Sequence, residues 1–80
     1  MLVGFFGRLR DSLGEEIEVA AEEGETVARL RIRLAGLNPE AARDLLGPRV
    51  RAFVADAMVG EDFLLGGHDR IEFLPPLSGG

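Results

Sequence analysis

The chain has 80 residues, 46% of them hydrophobic, and fourteen acidic against nine basic residues give it a net charge of −5. That length holds one small domain, and the acidic balance argues against nucleic acid and anionic lipid, which are bound by neutralising phosphates. With no cysteine, a single histidine and arginine as its only basic residue type, the sequence excludes a disulfide framework, a thiolate metal site, a cysteine nucleophile and a His cluster.

In the first eight residues the charge follows the apolar stretch, and no small-residue cleavage site comes after it, unlike a secretory signal. No apolar run approaches the ~20 residues of a membrane span. A cytoplasmic location without membrane attachment is the expectation. Residues 2–9 form an apolar run that reads as a first strand. Arg10-Asp11-Ser12 and Leu13-Gly14 read as a polar break. Glu16-Ile17-Glu18-Val19 alternates strictly, the mark of a half-buried strand. The two runs are close enough to form a hairpin.

Residues 22–25 read as a turn, with Thr26 as the N-cap of a helix whose apolar residues are Val27, Leu30 and Leu34. Gly36 suits the left-handed position after a helix end. Asn38 is expected to cap a second, short helix with Pro39 in its first turn. Ala42, Leu45 and Leu46 are predicted to face inward, and Gly47-Pro48 ends the segment. Residues 50–55 read as a third strand and Met58-Val59 as a fourth, broken by Gly60. Phe63-Leu64-Leu65 leads into a Gly66-Gly67 turn. Arg70-Ile71-Glu72-Phe73-Leu74 alternates again as the last strand, and Pro75-Pro76 stops it, because neither can donate to a ladder.

The first and last strands are the most apolar. Placing them central and parallel in a mixed sheet of about five strands, with the main helix across one face, buries this pattern best. That is an α+β, β-grasp (ubiquitin-like) arrangement, expected over residues 1–74, with residues 75–80 as an extended tail.

The ending Pro75-Pro76-Leu77-Ser78-Gly79-Gly80 carries a physical design. The prolines stiffen the exit from the last strand. The final four residues then reach roughly 13–14 Å outward. Gly79 and Gly80 have no side chains and fit a narrow channel. They present an α-carboxylate, which ATP converts to an acyl-adenylate open to attack by sulfur or another nucleophile.

This ending, from Phe73 on, resembles that of the small subunit of molybdopterin synthase. The opening Val3-Gly4-Phe5-Phe6-Gly7-Arg8-Leu9-Arg10-Asp11, the Thr26-Val27 helix start and Asp69-Arg70-Ile71 are also similar to that family, over nearly the whole chain. Phe53-Val54-Ala55 and His68-Asp69 depart from the family's usual Ala-Val-Asn and Gly-Asp.

The resemblance implies a carrier that is not an enzyme by itself. A ubiquitin-activating-like adenylyltransferase would adenylate Gly80 with ATP and Mg²⁺, and a sulfur donor would make it a thiocarboxylate. The large synthase subunit would then receive the tail, and sulfur would pass to cyclic pyranopterin monophosphate during molybdenum cofactor synthesis. No cofactor would be bound permanently. Carriers for thiamine thiazole, cysteine or tRNA thiolation, and ubiquitin-like protein modifiers, are the alternatives.

Alternation assigns Phe73, which shares a face with Ile71, to the core and sends Leu74 to the other side, beside the tail. Phe6 is expected to do the same from the adjacent strand. Phe6, Leu74 and Arg10 are therefore the candidate partner interface, Arg10 because it matches the family's Arg-acidic pair. Arg8 reads as solvated charge. Arg29 and Arg33 fall on one helix face and Arg31 on the far side. Glu15, Glu16, Glu18, Glu22, Glu23 and Glu25 read mostly as solvated edge and turn, giving no acid–base pair or metal site. His68 reads as a lone surface histidine. Gly4-Phe5-Phe6-Gly7 lacks the spacing of a phosphate loop.

Overall fold

A computed structural model of the chain describes residues 1–66, 68 and 70–75. Strand β1 (Leu2–Phe5) leads into helix α1 (Arg8–Leu13), then β2 (Glu16–Glu18) and the main helix α2 (Val27–Leu37). A 3₁₀ turn (Pro39–Ala41) runs into α3 (Ala42–Leu45), followed by β3 (Arg51–Val54), β4 (Ala57–Val59) and β5 (Arg70–Leu74). The strand order is β2-β1-β5-β3-β4. The two apolar strands β1 and β5 are parallel neighbours, and every other pairing is antiparallel. This is the expected β-grasp sheet. No helix among the described residues is long and apolar enough to cross a membrane.

Alternation sends Val3, Phe5, Ile71, Phe73, Ala52 and Val54 to one face of the sheet, where they pack with Val27, Leu30 and Leu34 of α2. The parallel pair Phe5 and Phe73 stacks at the centre, with ring centroids 6.2 Å apart. The other face is open. On it Arg70 reaches Glu16 of β2 at 2.6 Å and Glu72 at 3.3 Å. Gly4 makes room for that side chain: a Cβ there would lie 2.6 Å from Arg70 Nη2.

Several local expectations are corrected. Residues 2–9 are not one strand. β1 ends at Phe5, and the supposed polar break is helix α1, whose Leu9 is buried. Hence β1 and β2 pair without a tight hairpin turn. Gly36 does not end α2, which continues to Leu37 and is closed by Asn38. Asn38 donates both its backbone N–H and its side-chain amide to Leu34 O, so its side chain caps α2 and not the turn that follows. Pro39 does occupy the first position of that turn. Leu45 is buried, but Leu46 is exposed because the chain leaves the helix there. Thr26 caps α2 as expected, its Oγ1 accepting from Arg29 N at 3.3 Å.

Two charged residues lie inside. Arg31, on the far side of the helix from Arg29, is 6% exposed, within the core. Its Nη1 donates to Leu45 O at 2.8 Å, and its Nη2 donates to Val50 O and to Glu61 Oε2. Nε lies 2.9 Å from Glu61 Oε1 but is too bent for a directed hydrogen bond, so that contact is ionic. The guanidinium also sits 5.1 Å from the Phe73 ring centroid. Glu25 is likewise buried, not solvated. It accepts from Arg33 Nε at 3.0 Å and Nη2 at 2.7 Å. Arg33 also donates to Ala20 O at 2.9 Å, fixing the loop before α2. The Glu25 hydrogen bonds raise the Arg33 pKa above its ordinary value.

Replacing Arg31 by Met keeps the apolar stem and leaves two buried carbonyls without donors. We expect a loss of about 3–5 kcal/mol and a thermal midpoint lower by at least about 12 °C for a domain of this size, read by differential scanning calorimetry. The β3–β4 turn carries the opposite opportunity. Ala55 and Asp56 both have positive φ, at 51° and 67°. That is the signature of a type I′ turn, which favours Asn-Gly. The double change Ala55→Asn, Asp56→Gly should raise the urea midpoint, by about 0.5–1 kcal/mol in stability.

Candidate functional site

The tail leaves from the middle of the sheet. β5 has β1 on one side and β3 on the other, so Leu74 and Pro75 emerge beside the end of β1. Because Phe5 pairs with Phe73 in parallel, Phe6 lies beside Leu74. Both are half-buried while Phe5 and Phe73 are fully buried, as alternation requires. Gly7, with φ of 60°, turns the chain into α1 directly under Pro75; a Cβ there would lie 2.6 Å from Pro75 Cγ. Pro75 is thus seated on the β1–α1 corner. Arg10 donates from Nε to Phe5 O at 3.4 Å, and its guanidinium lies 5.4 Å from the Phe6 ring centroid.

Phe6, Leu74 and Pro75 line a cleft of about 940 Å³ that runs from α1 to α3 and the loop before β3. Its floor includes the buried Leu9 and Val50. Its charged residues are Arg8, Arg43, Arg49 and Asp44. Of the predicted interface, Phe6 and Leu74 come together in this cleft, while Arg10 braces Phe6 from its side. Pro76, Leu77, Ser78, Gly79 and Gly80 lie outside the described residues, as do Gly67 and Asp69.

Arg43 and Arg49 escape sequence reading. They flank a Gly47-Pro48 turn and face the β1–α1 corner only because the fold brings α3 there. His68 is exposed, its ring 5.3 Å from that of Phe63, before β5 and at the end of the sheet away from the tail. No group of three or more metal-ligating side chains occurs among the described residues.

Gly7 and Gly14 both have positive φ, but a Cβ at Gly14 meets nothing within 4 Å. Gly7→Ala and Gly14→Ala therefore share the left-handed backbone cost, and only the first collides with Pro75. Gly7→Ala should cost about 1 kcal/mol more in urea unfolding and shift the NMR signals of Leu74 and Pro75. Equal losses would mean that Pro75 is not seated on this corner.

The ThiS family model matches residues 3–80. Three solved structures share the fold. Small archaeal modifier protein 1 (SAMP1) of Haloferax volcanii superposes with a TM-score of 0.83 at 19% identity, covering 99% of this chain and 97% of that one. A second structure of that protein gives 0.79 at 18% identity and 95% coverage of both chains. A proposed molybdopterin converting factor subunit 1 from Pyrococcus furiosus gives 0.78 at 23% identity, again covering 95% of each. No curated protein sequence matches the chain. A central parallel β1–β5 pair and a Gly-Gly ending, in a chain matched by the family model from its third residue to its last, make this protein a member of the ThiS family of ubiquitin-like sulfur carriers.

Proposed function

We propose that the chain is the sulfur-carrying subunit of molybdopterin synthase, with Gly80 as the residue that bears the sulfur. The observation that carries this reading is the Pro75-Pro76-Leu77-Ser78-Gly79-Gly80 ending on a ThiS-family fold. The likeness to the Pyrococcus furiosus protein supports it.

In this reading the Gly80 carboxylate attacks the α-phosphate of ATP on a ubiquitin-activating-like adenylyltransferase, with Mg²⁺ held by that enzyme, and pyrophosphate leaves. Hydrosulfide released by a sulfur donor then attacks the acyl carbon and AMP leaves, giving a thiocarboxylate. The tail next enters the large synthase subunit, which holds cyclic pyranopterin monophosphate and supplies the catalytic side chains. The carrier's own work is mechanical. β5 and the seated Pro75 anchor the root of the tail, and the cleft beside them offers partners a surface. A second reading, a protein modifier joined through Gly80, draws on the likeness to small archaeal modifier protein 1.

The test is reconstitution in the presence of the adenylyltransferase, ATP and a sulfur donor, followed by intact mass measurement. Exchange of one oxygen for sulfur is expected on the full chain. The chain lacking Gly80 should show none while unfolding at an unchanged temperature. Addition of the large subunit and the cyclic pterin should then yield dithiolene. Sulfur passing only to another acceptor, or an isopeptide bond to a protein amine, would move the assignment to the corresponding alternative.

A further inference from the structure

Six of the nine arginines fall into two groups. Arg31, Arg33 and Arg70 each hold one or more carboxylates of the chain. Arg8, Arg43 and Arg49 are exposed and make no ion pair among the described residues, and all three line the cleft at the root of the tail. In a chain of net charge −5, the charged side chains of this one cleft are three guanidiniums to a single carboxylate, Asp44. Its floor is apolar and continuous with Leu74 and Pro75. A volume of about 940 Å³ is at the upper end of the ~300–1,000 Å³ of binding pockets, room for a few partner side chains.

We propose that this cleft docks an acidic segment of the adenylating enzyme. An apolar side chain of that segment fills the floor between Leu9 and Val50, and flanking carboxylates meet Arg8, Arg43 and Arg49. The proposal rests on the function given above, because it needs an enzyme that works on the tail. Two observations and one requirement of the proposed function select the occupant. The charge calls for carboxylates, to which guanidiniums donate in two-point fashion. The cleft adjoins Pro75, so a segment bound there sits over the start of the tail. The contact must also be reversible, since the carrier has to leave the activating enzyme to deliver its sulfur. Exposed charges around a modest apolar floor suit a transient encounter, governed by association rate and salt. A lasting partner is served better by a larger apolar area. The open sheet face, with Leu2, Phe53 and Met58, offers that elsewhere.

The experiment measures ATP-dependent pyrophosphate release by the adenylyltransferase while the full-length carrier is titrated, at low and high salt. For Arg43→Glu with Arg49→Glu, we expect the KM for the carrier to rise roughly 10- to 100-fold at low salt. The kcat should stay within about twofold and the salt dependence should flatten. Arg43→Gln with Arg49→Gln should give an intermediate KM. Arg29→Glu, half the charge change of the double Glu variant and on the exposed side of α2 away from the cleft, should leave KM near that of the unaltered chain, while Arg43→Glu alone, its match in charge, should raise it. Calorimetry on each variant should show an unchanged thermal midpoint.

Equal KM values for the cleft and Arg29 variants would overturn the docking site and leave the carrier function standing. So would variants that keep their KM here but lose binding to the large synthase subunit. An enzyme that fails to adenylate the unaltered chain would overturn both.

Discussion

One guanidinium ties together two irregular segments that flank the β3–β4 hairpin. The segment between α3 and β3 and the strap around Glu61 have no ladder to hold them. Arg31 satisfies Leu45 O and Val50 O from inside the core and grips Glu61 from the same fork. Phe73 lies against the plane of that group. The strap completes the exchange at the N-terminus of α2, where Glu61 O and Phe63 O accept from Ala28 N and Val27 N, donors a helix start leaves unpaired. The loop that forms one wall of the cleft and the strand that carries the tail are therefore fixed by the same side chain. A lysine ammonium has no planar fork to bridge those carbonyls while also pairing a carboxylate.

Arginine thus does three jobs that composition alone does not separate. Arg31 and Arg33 tie loops to α2, Arg70 clasps the open face, and Arg8, Arg43 and Arg49 remain available to solvent at the cleft. Net charge describes none of this. A chain that is acidic in sum is locally basic where its tail begins.

The elements with strong periodicity were legible in the sequence. Alternation in residues 70–74 gives β5, its burial pattern and the outward placement of Leu74; Thr26 marks the start of α2. The parallel central pair followed from the two most apolar runs. What escaped were features set by tertiary contact. Arg10-Asp11-Ser12 looks like a break because its helix is only six residues long and is anchored by one buried residue, Leu9. Gly36 resembles a helix end, yet α2 gains enough from packing to run through it. Helical spacing separates Arg31 from Arg29 and Arg33 but does not show its partners, the carbonyls of Leu45 and Val50, which arrive from 14 and 19 residues away. The cleft depends on α3 meeting the β1–α1 corner, and no local pattern announces that meeting.

The central position of β5 has a mechanical consequence. A partner that draws the tail into a channel pulls along the strand axis, and the ladders to β1 and β3 run on both sides of that axis. Their hydrogen bonds lie across the direction of pull, so they share the load as a group and are not peeled one after another. An edge strand such as β2 or β4 would yield more readily. The domain therefore behaves as a stiff handle, and a tug at the end of β5 moves the whole body before any strand gives way.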